Sequence, residues 1–169
     1  MYQAELQQVG TPEEVLNNPA NAFVAGFVGE PAMNFLDVEV GMESGGRAWI
    51  AHAGSRLADL PGTLDPALHH FLLAPLQAGI RPHRIEFSET RMRATDLAAE
   101  VCTYESLGER GVLTVRLQSQ DLTILTPPEQ TFRKAQSLWI HFPPEHMYFF
   151  SRETGKRLYL DSLDRRPTI

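Results

Sequence analysis

Apolar positions along this chain change their spacing near residue 33. Before it, Phe23, Val24, Phe27 and Val28 recur at i, i+1, i+4 and i+5, which predicts a helix over roughly 20–28 with a broad apolar face. A shorter helix is expected just upstream. Thr11 is placed to cap it, Pro12 stands at its first position, Glu13 and Glu14 lie in its first turn, and Asn17–Asn18–Pro19 ends it. Thr11 with Glu14 has the spacing of a capping box. Glu5–Val9 reads as a strand, half of a hairpin. Gly29 and Pro31 close the helical segment.

From Met33 onward the period drops toward two. Phe35, Val38 and Val40 open a strand that can pair with Arg47–Ala51 across Ser44–Gly45–Gly46. Asp65–Pro66 starts one more short helix, ALHHFLLA, which Pro75 ends. Further strands are expected over 98–106, 112–117, 122–126, 137–142, 146–150 and 156–160. Leu113, Val115 and Leu117 alternate with polar residues, as do Leu138, Ile140 and Phe142, so each set marks one buried face. Short strands with turns at near-regular spacing predict a mainly β fold, a small antiparallel barrel behind a short helical N-terminal segment.

Composition narrows the functional classes. The chain has 169 residues, 43% hydrophobic and 21% charged, with a net charge of −6. No run of Lys or Arg offers the basic footprint that nucleic acid demands, so no nucleic-acid partner is expected. One cysteine excludes an internal disulfide and suits a reducing compartment. No apolar run reaches the length of about 20 residues that a membrane span needs, and the N-terminus lacks a signal-peptide layout. A cytoplasmic protein with no direct membrane insertion is expected.

The residue chemistry points to no enzyme. The patterns GxxxxGK[ST], GxSxG, HExxH and CxxC do not occur, so no catalytic, cofactor-binding or metal-binding residues are assigned. His69 and His70 are adjacent on the expected helix and point about 100° apart, which suits chelation poorly. Cys102 lies within a strand pattern and reads as a small buried hydrophobe. Glu105 and Glu109 flank a turn as solvated charges. Tyr148, Phe149 and Phe150 lack a basic groove around them and read as core.

Several motifs resemble one family. Gln8, Gly10, Thr11, Pro12, Glu14, Pro19, Asn21, Phe23, Val24, Ala25, Phe27, Gly29, Pro31, Met33 and Asn34 match, without gaps, the junction segment of ATP-binding subunits of ABC importers of the carbohydrate and glycerol-phosphate type. Gly79-Ile80-Arg81-Pro82 resembles the family's GIRPE element, and Glu105, Leu107 and Gly108 its E-x-L-G turn. FPPEHMYFFSRETGKRL is similar to its closing segment. Ala4 stands where the family has Gly, and His83 where it has Asp or Glu.

The resemblance implies an ATPase-domain tail over 1–30, a transport-associated OB-like regulatory domain over 31–160 and a loose tail over 161–169. It implies a parent subunit that uses ATP and Mg²⁺ through motifs lying before Met1, and that sits at the inner face of the membrane beside membrane-spanning importer subunits. It also implies a regulatory and dimerisation role in the uptake of a sugar or glycerol-phosphate. A homodimer is expected, with Phe23, Val24, Phe27 and Val28 as contacts, since these side chains would have lost the ATPase domain. The alternative is a small-molecule (oxyanion or sugar) sensing OB-like module using Ser106, Arg110 and Arg116 as donors.

Overall fold

The structure is a computed structural model that describes residues 5–63 and 75–159. The expected helix over 65–74 with His69 and His70, the tail over 161–169, and Ala4 lie outside the described residues.

Local signals place both helices as expected. α1 spans Pro12–Asn17, and its capping box is complete: the Glu14 amide donates to Thr11 Oγ1 (3.2 Å), and the Thr11 amide to Glu14 Oε2 (2.7 Å). α2 spans Ala22–Phe27 and is capped by Asn21, whose Oδ1 accepts from the Val24 amide at 2.9 Å. The strand expected over Glu5–Val9 is not formed. Only Glu5 takes part in a bridge, and residues 6–9 carry no regular structure. The side chain of Gln8 instead bonds the helical segment, donating to the Asn18 carbonyl and accepting from the Ala20 amide.

The rest is β. The strands are β1 (Asn34–Met42), β2 (Arg47–His52), β3 (Ser55–Thr63), β4 (Leu76–Ile80), β5 (Glu86–Ser88), β6 (Leu97–Ser106), β7 (Gly111–Leu117), β8 (Gln120–Thr126), β9 (Ser137–His141), β10 (Met147–Ser151) and β11 (Arg157–Leu158). They form two antiparallel sheets, ordered β11-β10-β4-β1-β2-β3 and β5-β9-β6-β7-β8. Two long strands bend to serve two partners each. β1 pairs β4 through residues 34–38 and β2 through 39–42. β6 pairs β9 through 97–100 and then β7 through 100–106. Such bends curl the sheets around one core, into which Leu113, Val115, Leu117, Leu138, Ile140 and Phe142 all point as the alternation requires.

Where β1 and β8 approach, a side chain replaces the ladder. Asn34 Nδ2 donates to the Thr123 carbonyl and Asn34 Oδ1 accepts from the Thr123 amide, both at 2.8 Å, so its amide acts as a strand of one residue. Cys102 departs from expectation. It sits at a register shift in β6, between Val101 and Thr103, which turns its thiol partly outward, 4.0 Å from Asp121 Oδ1, so it is half-buried.

Candidate functional site

The helical segment lies on the sheet beside the GIRP element, and Arg81 makes the junction. Gly79 and Ile80 end β4; Arg81 precedes a single 3-10 turn, Pro82–Arg84, that Pro82 begins. This directs the Arg81 side chain under the two helices, where it is only 5% exposed. Its Nη2 donates to the Leu16 carbonyl near the end of α1, at 2.7 Å. Its Nη1 donates to the carbonyls of Ala25 (3.1 Å) and Val28 at the end of α2. Helix C-termini present unpaired carbonyls and the negative end of the helix dipole, so one guanidinium serves two helices at once. Burial pulls the Arg81 pKa below the ordinary arginine value. Among the described residues no carboxylate pairs with it.

Two glycines make room at this junction, one for Arg81 and one for the apolar cluster beside it. A Cβ at Gly29, where φ is +116°, would meet Arg81 Nη1 at 2.9 Å. A Cβ at Gly79 would come within 2.4 Å of Met33 Sδ and 3.1 Å of Phe150 Cε2. Ala25, Met33 and Phe150 form a small apolar cluster of their own under α2. The C-terminal hairpin holds the other side. Tyr148 OH donates to the Asn17 carbonyl (3.1 Å), and Arg157 Nη1 to Asn18 Oδ1 (2.6 Å), with the Arg157 guanidinium 4.7 Å from the centre of the Tyr148 ring.

The sequence-derived residues separate into three groups. Gly79, Ile80, Arg81 and Pro82 are buried at or beside the junction. Of the expected dimer contacts, Val24 is buried within the chain and Val28 half-buried, whereas Phe27 is 78% exposed and stacks on Phe23 with ring centres 5.9 Å apart. The barrel itself therefore takes part of the helical face that was expected to lack a partner. Glu105, Leu107 and Gly108 form the exposed β6–β7 turn, in which Gly108 has φ +86°; the turn reaches the segment through Arg110, which donates to the Glu30 carbonyl at 3.3 Å.

Both arginines considered as oxyanion donors are otherwise engaged. Arg116 pairs with Asp121, and Arg110 with that carbonyl, while Ser106 is exposed. Tyr148, Arg157 and Asn34 were missed as junction or seam residues. Tyr148 and Arg157 stand within the closing segment already matched to the family, and Asn34 within the junction segment, which was the available signal. Among the described residues no group of His, Cys, Asp and Glu could hold a metal, and no helix is long and apolar enough to cross a membrane.

Comparison with known proteins agrees with this architecture. Residues 78–150 match the TOBE domain family. The chain is 32% identical over 162 residues to the sn-glycerol-3-phosphate import ATP-binding protein UgpC of Salmonella paratyphi A, an alignment that covers 94% of this chain and 42% of that protein. UgpC of Escherichia coli O157:H7 is 31% identical over 152 residues, covering 90% and 40%. The chain thus spans less than half the length of these relatives. Among solved structures, the cytoplasmic molybdate-binding protein ModG superposes with a TM-score of 0.54 at 17% identity, over 69% of this chain and 94% of that one, which shows a shared OB-like fold. Residues 78–150 thus match the TOBE domain, and over 94% of its length the chain is similar to the import ATP-binding protein UgpC.

Proposed function

We propose that this chain is the regulatory and dimerisation domain of an importer ATP-binding subunit, coupling ATP hydrolysis in the parent protein to uptake of a sugar or glycerol-phosphate. The observation that carries the reading is the junction: a segment resembling the end of an ATPase domain is seated on the TOBE barrel through Arg81 and the C-terminal hairpin. A motion of that segment would be carried to the barrel, and the reverse. In this reading the chain has no catalytic activity alone, ATP and Mg²⁺ belong to the parent subunit, and the membrane-spanning subunits are reached through the ATPase domain at the inner face of the membrane.

The test is a chimera in which this chain replaces the matching stretch of Salmonella UgpC. Uptake of sn-glycerol-3-phosphate and ATP hydrolysis should both be retained. Hydrolysis without uptake would overturn the coupling role. The alternative, a sensing module for an oxyanion or a sugar, has weaker support because Arg110 and Arg116 already have partners. Heat released on titrating the purified chain with molybdate or phosphate would favour it.

A further inference from the structure

We infer that Arg81 is a latch: it fixes the helical segment to a barrel that is complete without it, and its loss frees the segment while leaving the barrel folded. The inference deepens the regulatory reading and takes its purpose from it.

The first ground is how the core is divided. The main core runs from Leu36 to Phe149 and takes no residue from either helix. The segment meets the sheet through the small cluster of Ala25, Met33 and Phe150, with Ala22, Phe35 and Tyr148 at its edge, and through polar contacts. Apolar area alone therefore gives the segment a limited hold on the barrel.

The second ground is the chemistry of the hold. α1 and α2 have six residues each, too few to be stable unsupported. Both end over Arg81, so removing the guanidinium strips the carbonyls of Leu16, Ala25 and Val28 of a charged donor together. Other hydrogen bonds reach other parts of the segment: Tyr148 OH to Asn17, Arg157 Nη1 to Asn18, the Arg157 amide to the Ala20 carbonyl, the Ala22 amide to the Gly155 carbonyl, and Arg110 Nη1 to the Glu30 carbonyl. None of these touches the C-terminal carbonyls of α2. Arg81 thus binds the ends of both helices with one side chain.

The third ground is the room built around it. Gly29 at φ +116° leaves space for Nη1, and Pro82 starts the turn from which the side chain leaves the sheet. Lysine carries one point of charge on a flexible stem and cannot span two helix ends as the planar fork does.

Residue-resolved amide hydrogen exchange on the full chain tests the latch in Arg81→Gln and Arg81→Lys. The amides of Val15, Asn18, Ala25 and Val28, each bonded within its own helix, should exchange about ten- to a hundredfold faster in Arg81→Gln, with Arg81→Lys intermediate. The amides of Leu113, Val115 and Ile124 in the barrel should keep their wild-type rates. A residue that merely stabilised the whole fold would accelerate both sets together, and that result overturns the latch, as does no change in either. If Arg81→Gln does not fold, the Arg81→Lys chain is judged by the same two sets. The latch fails in this experiment alone; the regulatory reading fails in the chimera, whatever the exchange rates are.

Discussion

His83 follows the latch residue by two positions and stands where the resembled family has an acid. His83 is exposed, yet partial desolvation at the turn lowers its pKa from the usual histidine value, and the neighbouring cations Arg84, Arg81 and His146 lower it further. The unfolded chain therefore takes up this proton more readily than the folded one. The stability that His83 contributes is complete above its unfolded value and is lost as pH falls from there toward the folded value. Urea midpoints measured at about pH 7.5 and about pH 5.5 should fall in the wild type, and fall less in His83→Gln. Equal losses in the two proteins would show that the repulsion is elsewhere. The acid-to-histidine exchange in the sequence pointed to this turn, but the direction of the effect needed the proximity of Arg81 and His146, which no spacing in the sequence reveals.

Strands with one wet face were legible and strands covered twice were not. β7 and β9 alternate in sequence because only one of their faces is buried, and their inward residues were read directly. β4, Leu-Gln-Ala-Gly-Ile, shows no alternation: Ala78 faces the main core while Gly79 lies under Met33 and Phe150. β3 escaped notice because its turn places Ala53 at φ +46° beside Gly54 at φ +77°, and alanine is no signal for such a turn. The seam between β1 and β8 was equally hidden, since an asparagine that pairs with a backbone looks like any other. Asn34→Ala should cost about 1–3 kcal/mol in urea denaturation, because both Thr123 groups lose their partner. A cost below about 0.5 kcal/mol would mean that water satisfies Thr123 as well as Asn34 does.

At the scale of the whole molecule, three of the large exposed apolar residues lie in one stretch of chain. Phe27, Leu6 and Val9, 78%, 69% and 80% exposed, all belong to the N-terminal segment. We propose a two-fold dimer that covers Phe27, since a closed pair satisfies both copies of this surface at once. Light scattering on the chain should give twice the monomer mass, and Phe27→Ser should shift it toward the monomer; a monomeric wild type defeats the proposal. This contact lies on the outer side of the segment, whereas the Arg81 contact lies beneath it, so dimer and latch can coexist. The motif running from Gln8 to Asn34 was legible in the sequence, but not the fact that the barrel itself buries Val24 and Ala25.

Because Arg81 meets carbonyl oxygens and no carboxylate among the described residues, its grip is charge against dipole, shielded from water. Dissolved ions screen pairs of exposed charges, such as Glu43 with Arg56 on the β1–β2–β3 hairpins, and reach a buried contact far less. Raising the ionic strength should therefore loosen that hairpin cluster while the Val28 amide keeps its exchange rate. An attachment of this kind holds equally in dilute and concentrated salt, a joint that does not slacken with the medium around it.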